Sequence, residues 1–190
     1  MDENTEFEFE NSNENTPEKK NSVKNEIIEW VKALLIYCII PVAVFESFCF
    51  IASVPTGSME TTIPVGAQVL TTRCFDKDNI NRGDIVVFDS DELDKVLIKR
   101  CIGLPGDTVV FDGEGNTYIN GEYYEEPYIS TYSSYMGEFN VPEDCYLFCG
   151  DNRDGSYDSR YWNDPYIEKD KVKGIARFII LPFSNIGVLE

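Results

Sequence analysis

Three short stretches hold the residues able to do chemistry. Ser58 stands in Val-Pro-Thr-Gly-Ser-Met-Glu, residues 54–60, and Lys99 ends an apolar run that begins at Val96. Gly150–Trp162 packs three Asp, two Arg and two Ser ahead of a Tyr-Trp pair. The chain has no histidine, which excludes Ser-His-Asp and Cys-His catalysis and histidine-based zinc sites within one chain. A hydrolase built from these residues needs Lys, a carboxylate or a metal-bound water as its base. A lysine base must be neutral, and at a reference pKa of about 10.4 only ~0.04 % is neutral at pH 7. The apolar run before Lys99 is a place where the ammonium is desolvated, and burial lowers a lysine pKa by several units. Neutral Lys99 could take the Ser58 proton and later deliver it to a leaving amine. The competing use of Lys99 or Arg100 is a structural ion pair with the acidic loop. Arg100 suits that use better, because arginine stays charged.

Gly150–Trp162 follows the apolar run Cys145–Cys149, which reads as a short strand, and its Gly, Asn, Asp and Ser content predicts turns. A solvated turn is the ordinary reading of such composition. The density of opposite charges favours a buried ion-pair lattice beneath an active site. Gly-Ser alone is a weak signal, although Gly57 permits unusual backbone angles and Pro55 stiffens an extended lead-in to Ser58.

Composition bounds the rest. A formal charge of −18 over 190 residues argues against a nucleic-acid partner, whose phosphates need Lys and Arg. Residues 1–22 are rich in Glu and Asn and poor in aliphatic side chains, a composition that predicts a disordered acidic tail. Ala33–Ala52 is an apolar run of about 20 residues, enough to cross a hydrocarbon core of ~30 Å. It lacks a polar face of helical period. Pro41 is tolerable in a membrane helix, and Glu46 is the one uncomfortable residue, at about 2–3 kcal/mol on insertion scales. Lys19, Lys20, Lys24 and Lys32 precede the run, and no Lys or Arg lies between it and Arg73. The positive-inside rule therefore puts the N-terminus in the cytoplasm and the remainder outside. A cleaved signal peptide is disfavoured by the long preceding tail and by the bulk of Phe50 and Ile51. The resulting organisation is a tail over 1–22, a juxtamembrane and membrane segment over 23–52, and an extracytoplasmic domain over 53–190.

The outer portion is long enough for one core. Its apolar runs are short: Val69–Thr72, Ile85–Phe88, Val96–Ile98, Thr108–Phe111, Thr117–Ile119, Tyr146–Phe148 and Ile175–Leu181. Asp112-Gly113 and Asn120-Gly121 are hairpin signals. This pattern predicts a mainly antiparallel β domain, with Tyr123–Phe139 as a Tyr-rich excursion. Cys38 and Cys49 fall in the span; Cys74, Cys101, Cys145 and Cys149 face the oxidising side and allow three connectivities. Cys145 and Cys149 on one strand would be ~13 Å apart, beyond disulfide reach. With no Cys-x-x-Cys, no metal or other cofactor is expected, and the disulfide state stays open.

Thr-Gly-Ser-Met, Lys-Arg-x-Ile-Gly-Leu-Pro-Gly-Asp and Gly-Asp-Asn-Arg-Asp-x-Ser-x-Asp-Ser-Arg-Tyr-Trp follow one another behind a single span. In that order they closely resemble the bacterial type I signal peptidases. The resemblance runs from about Lys32 to Glu190 and includes the closing Pro-Phe-x-x-Ile-Gly at 182–187. It implies a mainly β catalytic domain of the signal-peptidase/LexA-like type behind one N-terminal transmembrane helix. It implies a Ser–Lys membrane protease acting on preproteins that bear signal peptides, with the lipid bilayer and the secretion translocon as further partners. Carried onto this chain, Ser58 is the nucleophile and Lys99 the base. Thr56 and the Ser58 N–H supply the oxyanion hole, where one donor is worth about 2.7–4 kcal/mol of barrier. Ser156 orients Lys99 through a hydrogen bond, Asp158 and Arg160 form a supporting ion pair, and Asp151 and Arg153 help to hold the loop. Val54, Pro55, Met59, Ile63, Leu97 and Ile98 match positions lining shallow pockets for small residues at −1 and −3, with the substrate adding as a strand.

The chain departs from the family pattern after Ser-Met, where Glu60-Thr61-Thr62 lacks the usual proline. The short insert between Asp107 and Gly150 resembles the compact enzymes of Gram-positive bacteria. A self-cleaving repressor would carry a basic DNA-binding domain, which the acidic tail and anchor oppose. A penicillin-binding acyltransferase would need Ser-x-x-Lys, which does not occur. The remaining alternative is a catalytically dead β module that only binds exported chains.

Overall fold

The computed structural model describes residues 17–189, with side chains from residue 23 onward. Most of the tail expected over 1–22 therefore lies outside the described residues. From Pro17 the chain is already helical, and a proline suits a first helical turn, where its missing N–H leaves no bond unmade. Helix α1 (Pro17–Leu34) continues through a π-turn at Leu35–Ile39 into α2 (Ile40–Phe48). The Ile40 N–H reaches back to Leu35 O, directly ahead of Pro41, which has no N–H to offer the ladder.

The apolar helical stretch Val23–Phe48 is 26 residues, about 39 Å at 1.5 Å per residue, and is a candidate membrane span. None of its side chains is buried. An apolar helix without protein cover is at home in lipid. The span ends at Phe48, earlier than the Ala52 expected from the apolar run. Cys49–Val54 is instead strand β1, whose Ile51 faces Leu70 across the ladder. Hydrophobicity alone does not separate a short strand from the last turn of a helix, and pairing decided it.

Eleven further strands follow among the described residues. They are β2 (Ala67–Arg73), β3 (Ile85–Ser90), β4 (Lys95–Gly103), β5 (Thr108–Asp112), β6 (Thr117–Ile119) and β7 (Glu122–Tyr124). Then come β8 (Met136–Asn140), β9 (Cys145–Cys149), β10 (Tyr166–Glu168), β11 (Val172–Leu181) and β12 (Gly187–Val188). The larger sheet runs β1-β2-β11-β3-β4-β9-β10 with β12 on β11, and the smaller runs β7-β6-β5-β8. Every strand pair is antiparallel. Asn120 and Gly121 make the two-residue turn between β6 and β7 with φ of 52° and 84°, the left-handed pair that a tight hairpin requires.

Strand alternation distributes the core. Ile85 and Val87 of β3 enter one apolar cluster while Val86 and Phe88 enter another, so the strand is covered on both faces and reads as an unbroken apolar run. Likewise Tyr146 and Phe148 of β9 join the second cluster, and Leu147 and Cys149 join a third with the smaller sheet. The loop after β9 thus departs from a strand clamped on both sides. The Tyr-rich segment is no simple excursion: its ends form β7 and β8, and β8 pairs with β5. Met-Gly-Glu-Phe-Asn has little strand propensity of its own, so the partner strand imposes the conformation. All six cysteines are free.

Candidate active site

Ser58 lies in a 3-10 turn, Gly57–Met59, between β1 and β2. Met59 is wholly buried and pins the turn to the sheet. Lys99 comes from the middle of β4, paired with Val86 of β3. Its Nζ donates to Ser58 Oγ at 2.5 Å. The lysine is only 4 % exposed, and burial lowers its pKa from 10.5 to about 8, against the pull of Asp158 and Asp151, which favour the charged form. Thr56 Oγ1 stands 3.4 Å from Ser58 Oγ.

The facing loop is a lattice of buried ion pairs. Arg160 grips Asp158 through Nε at 2.8 Å and Nη2 at 2.9 Å, and the Asp158 carboxylate also accepts the Gly150 N–H at 2.8 Å. Arg160 Nη2 donates to Arg153 O, and Arg153 Nε donates to Gly150 O. Arg100, next to Lys99, makes a two-pronged pair with Asp151 at 2.9 and 2.7 Å, the geometry in which guanidinium and carboxylate match best. Thus Asp158 and Arg160 pair as anticipated, and Arg100 takes the structural role. Asp151 and Arg153 take separate partners, since Arg153 pairs with Glu126. A Cβ at Gly150 would collide with Ser156 Oγ and Ser58 O, so the loop approaches the serine turn as closely as backbone permits.

Two expectations are corrected. The Ser156 hydroxyl is buried and makes no hydrogen bond, so it does not hold Lys99 here; the lysine donates to Ser58 instead. The six residues expected to line substrate pockets do not share one open surface. Val54, Met59 and Ile63 are wholly buried and Ile98 is nearly so, all in one core cluster. Leu97 packs beside the other cluster, because neighbours on a strand point to opposite faces, and Pro55 is exposed. Burial pushes the Cys149 thiol up to about 12, which keeps it protonated and unreactive. Among the described residues no group of three or more His, Cys, Asp and Glu is placed to hold a metal ion.

Comparison with known proteins gives a concordant answer. The model of the signal peptidase family, peptidase S26, matches residues 27–181. The chain belongs to this family. It is therefore a serine endopeptidase of the signal peptidase group. It is 36% identical over 186 residues to a signal peptidase I of Bacillus licheniformis, covering 90% of this chain and 97% of the relative. A probable signal peptidase I-2 of Synechocystis is 32% identical, covering 93% and 83%. The crystal structure of a signal peptidase I from Enterococcus faecalis is 33% identical with a TM-score of 0.44, covering 51% of this chain and 96% of that one.

Within this signal peptidase, four residues at the site were not singled out by sequence. Thr62 donates to Asp151 Oδ2 at 2.5 Å; it lies in the segment where the family's proline is missing. Asn152 bonds the serine turn through its backbone and its side chain, and Thr131 bonds Asn152. Glu126 is buried against Arg153 and accepts from Thr117 and Tyr128. Only Asn152 lay inside a recognised motif. Glu126 and Thr131 lie in the Tyr-rich segment, where nothing local distinguishes them from solvated residues.

Proposed function

We propose that this signal peptidase cuts exported preproteins after small residues at −1 and −3, with Ser58 as nucleophile and Lys99 as general base. The observation that carries the reading is the buried Lys99–Ser58 hydrogen bond. With its pKa near 8, roughly a tenth of the lysine is neutral at pH 7, over a hundredfold more than at the reference value. The neutral amine accepts the Ser58 proton as Oγ bonds to the scissile carbonyl carbon, and the carbonyl π pair moves onto oxygen. The Ser58 N–H and the Thr56 hydroxyl donate to that oxyanion. The Lys99 ammonium then protonates the leaving amine as the C–N bond breaks. Lys99 next deprotonates a water that releases the acyl group from Ser58.

Substrate would add as a strand beside β1 and residues 95–99 of β4. β1 pairs only with β2, and that part of β4 pairs only with β3, among the described residues. Val54, Met59, Ile63 and Ile98 are packed into the core beneath these edges, a filled floor that leaves little depth for large side chains. The lysine bias places the N-terminus and residues 1–22 in the cytoplasm. The helix over Val23–Phe48 then carries the chain through the bilayer, and the strands from Cys49 onward act outside, where the translocon delivers its products.

The test is cleavage of a preprotein in liposomes by wild type, Ser58→Ala and Lys99→Ala, with product N-termini read by mass spectrometry. The reading requires a cut after small-x-small by wild type alone. Precursor binding by all three with no cutting would make the chain a binding module.

A further inference from the structure

We infer that Asn152 is a positioning residue of the oxyanion site, acting through the Gly57–Ser58 peptide plane, and that Thr131 sets the orientation of its amide. The inference rests on the proposed role of the Ser58 N–H as an oxyanion donor. In a trans peptide the carbonyl of one residue and the N–H of the next lie in one plane and point in opposite directions. The Gly57–Ser58 bond is trans. Whatever holds Gly57 O therefore aims the Ser58 N–H.

Two donors hold it. Asn152 Nδ2 donates to Gly57 O at 3.0 Å, and the Glu60 N–H donates to the same oxygen at 3.2 Å. The Asn152 N–H adds a bond to Ser58 O at 3.1 Å, so one residue fixes the carbonyls on both sides of the reactive residue's backbone. Bonds to a peptide oxygen also polarise the peptide and strengthen its N–H as a donor.

The amide has only one orientation that satisfies its neighbours. Its Oδ1 faces the Gly155 N–H at 3.1 Å and the Thr131 hydroxyl at 2.8 Å. A backbone N–H can only donate, so the oxygen must lie on that side and the NH₂ must face Gly57. Thr131 also forms an isolated parallel bridge with Asn152. A residue of the Tyr-rich segment, far from Ser58 in sequence, thereby reaches the oxyanion donor in two hydrogen bonds.

The experiment uses the full-length enzyme in liposomes with a preprotein substrate. Asn152→Asp keeps an acceptor for Thr131 and Gly155 but replaces the donor to Gly57 O with an oxygen. A merely structural role, carried by Oδ1, leaves turnover unmoved. Positioning of the oxyanion donor predicts a kcat lowered about 10- to 100-fold with KM within about twofold. Thr131→Val is expected to lower kcat about two- to fivefold, the equivalent of one neutral hydrogen bond, and to add nothing on top of Asn152→Asp. Wild-type kcat in Asn152→Asp, or a loss carried wholly by KM, overturns the inference while an inactive Ser58→Ala preserves the catalytic reading. If Asn152→Asp does not fold, an unchanged kcat in Thr131→Val overturns it. Full activity of Ser58→Ala removes the catalytic reading and this inference together.

Discussion

The two halves of the site are built on different principles. The turn at Gly57–Met59 has no side-chain cap and is held from outside, by buried Met59 and by Asn152. The loop at Gly150–Trp162 holds itself, through Arg160 on Asp158 and Arg153 on the Gly150 carbonyl, and is tied to β4 by the pair of Arg100 and Asp151. Within its own segment the reactive turn has backbone bonds from the Glu60 N–H to Gly57 O and from the Ile63 N–H to Met59 O. Part of its support is borrowed from the loop through Asn152, and the loop is packed with buried charge.

The contrast is broken most severely at Lys99, where the two halves meet. Lys99→Met is expected to lower cleavage by about 10⁴-fold or more. Because burial depresses its pKa in the fold, the unfolded chain binds the extra proton between about pH 8 and 10.5. Lys99 therefore destabilises the protein below that window, and stability rises as pH climbs through it. Lys99→Met should then gain up to about 3 kcal/mol near pH 7, a gain that vanishes above pH 10.5, measured by denaturant melts across pH. In activity, kcat/KM should rise with pH along a limb centred near 8. A limb centred near 6 would mean that another group titrates.

The self-held half is tested by Arg100→Met, which strands the buried Asp151 carboxylate. A loss of about 3–5 kcal/mol is expected, read from the chemical-denaturation midpoint. The borrowed rigidity of the turn predicts the opposite balance for Thr56→Val. Its hydroxyl stands at the exposed mouth of the site, so stability should hold while kcat falls by about 10²–10³. The smallest effect is Thr62→Val, which removes one hydrogen bond to a charged partner, worth about 1.5–3 kcal/mol of stability. A fall in kcat as large as that of Thr56→Val would show that the two halves are not separable.

Much of this was legible along the chain because the signals are local. Seven of the strands announced themselves as short apolar runs between turn residues, and Asn120-Gly121 specified its hairpin through backbone sterics alone. Arg100 could be assigned to structure because guanidinium does not give up its charge. What failed were judgements that needed a partner strand or a partner side chain. Cys49–Val54 is apolar enough for either a membrane helix or a strand, and β8 has almost no propensity to be a strand. Ser156 was assigned a bond to Lys99 from motif order, yet hydroxyl direction follows from packing. Val54, Met59, Ile63 and Ile98 match positions expected to line shallow pockets, and the sheet buries them in its core.

By itself, the order of residues narrowed the chemistry: with no histidine in the chain and a lysine following an apolar run, few designs for a serine peptidase were left. It also marked out a candidate membrane helix, since length and apolarity are properties of a contiguous segment, although strand pairing set where the helix ends. Only the tertiary structure decided what surrounds Ser58. Asn152, Glu126, Thr131 and Thr62 are ordinary polar residues until folding brings them within hydrogen-bond reach of the site. Hydrogen bonds act over about 3 Å, whereas the chain separates these residues by many times that distance, so their roles exist only in the folded state.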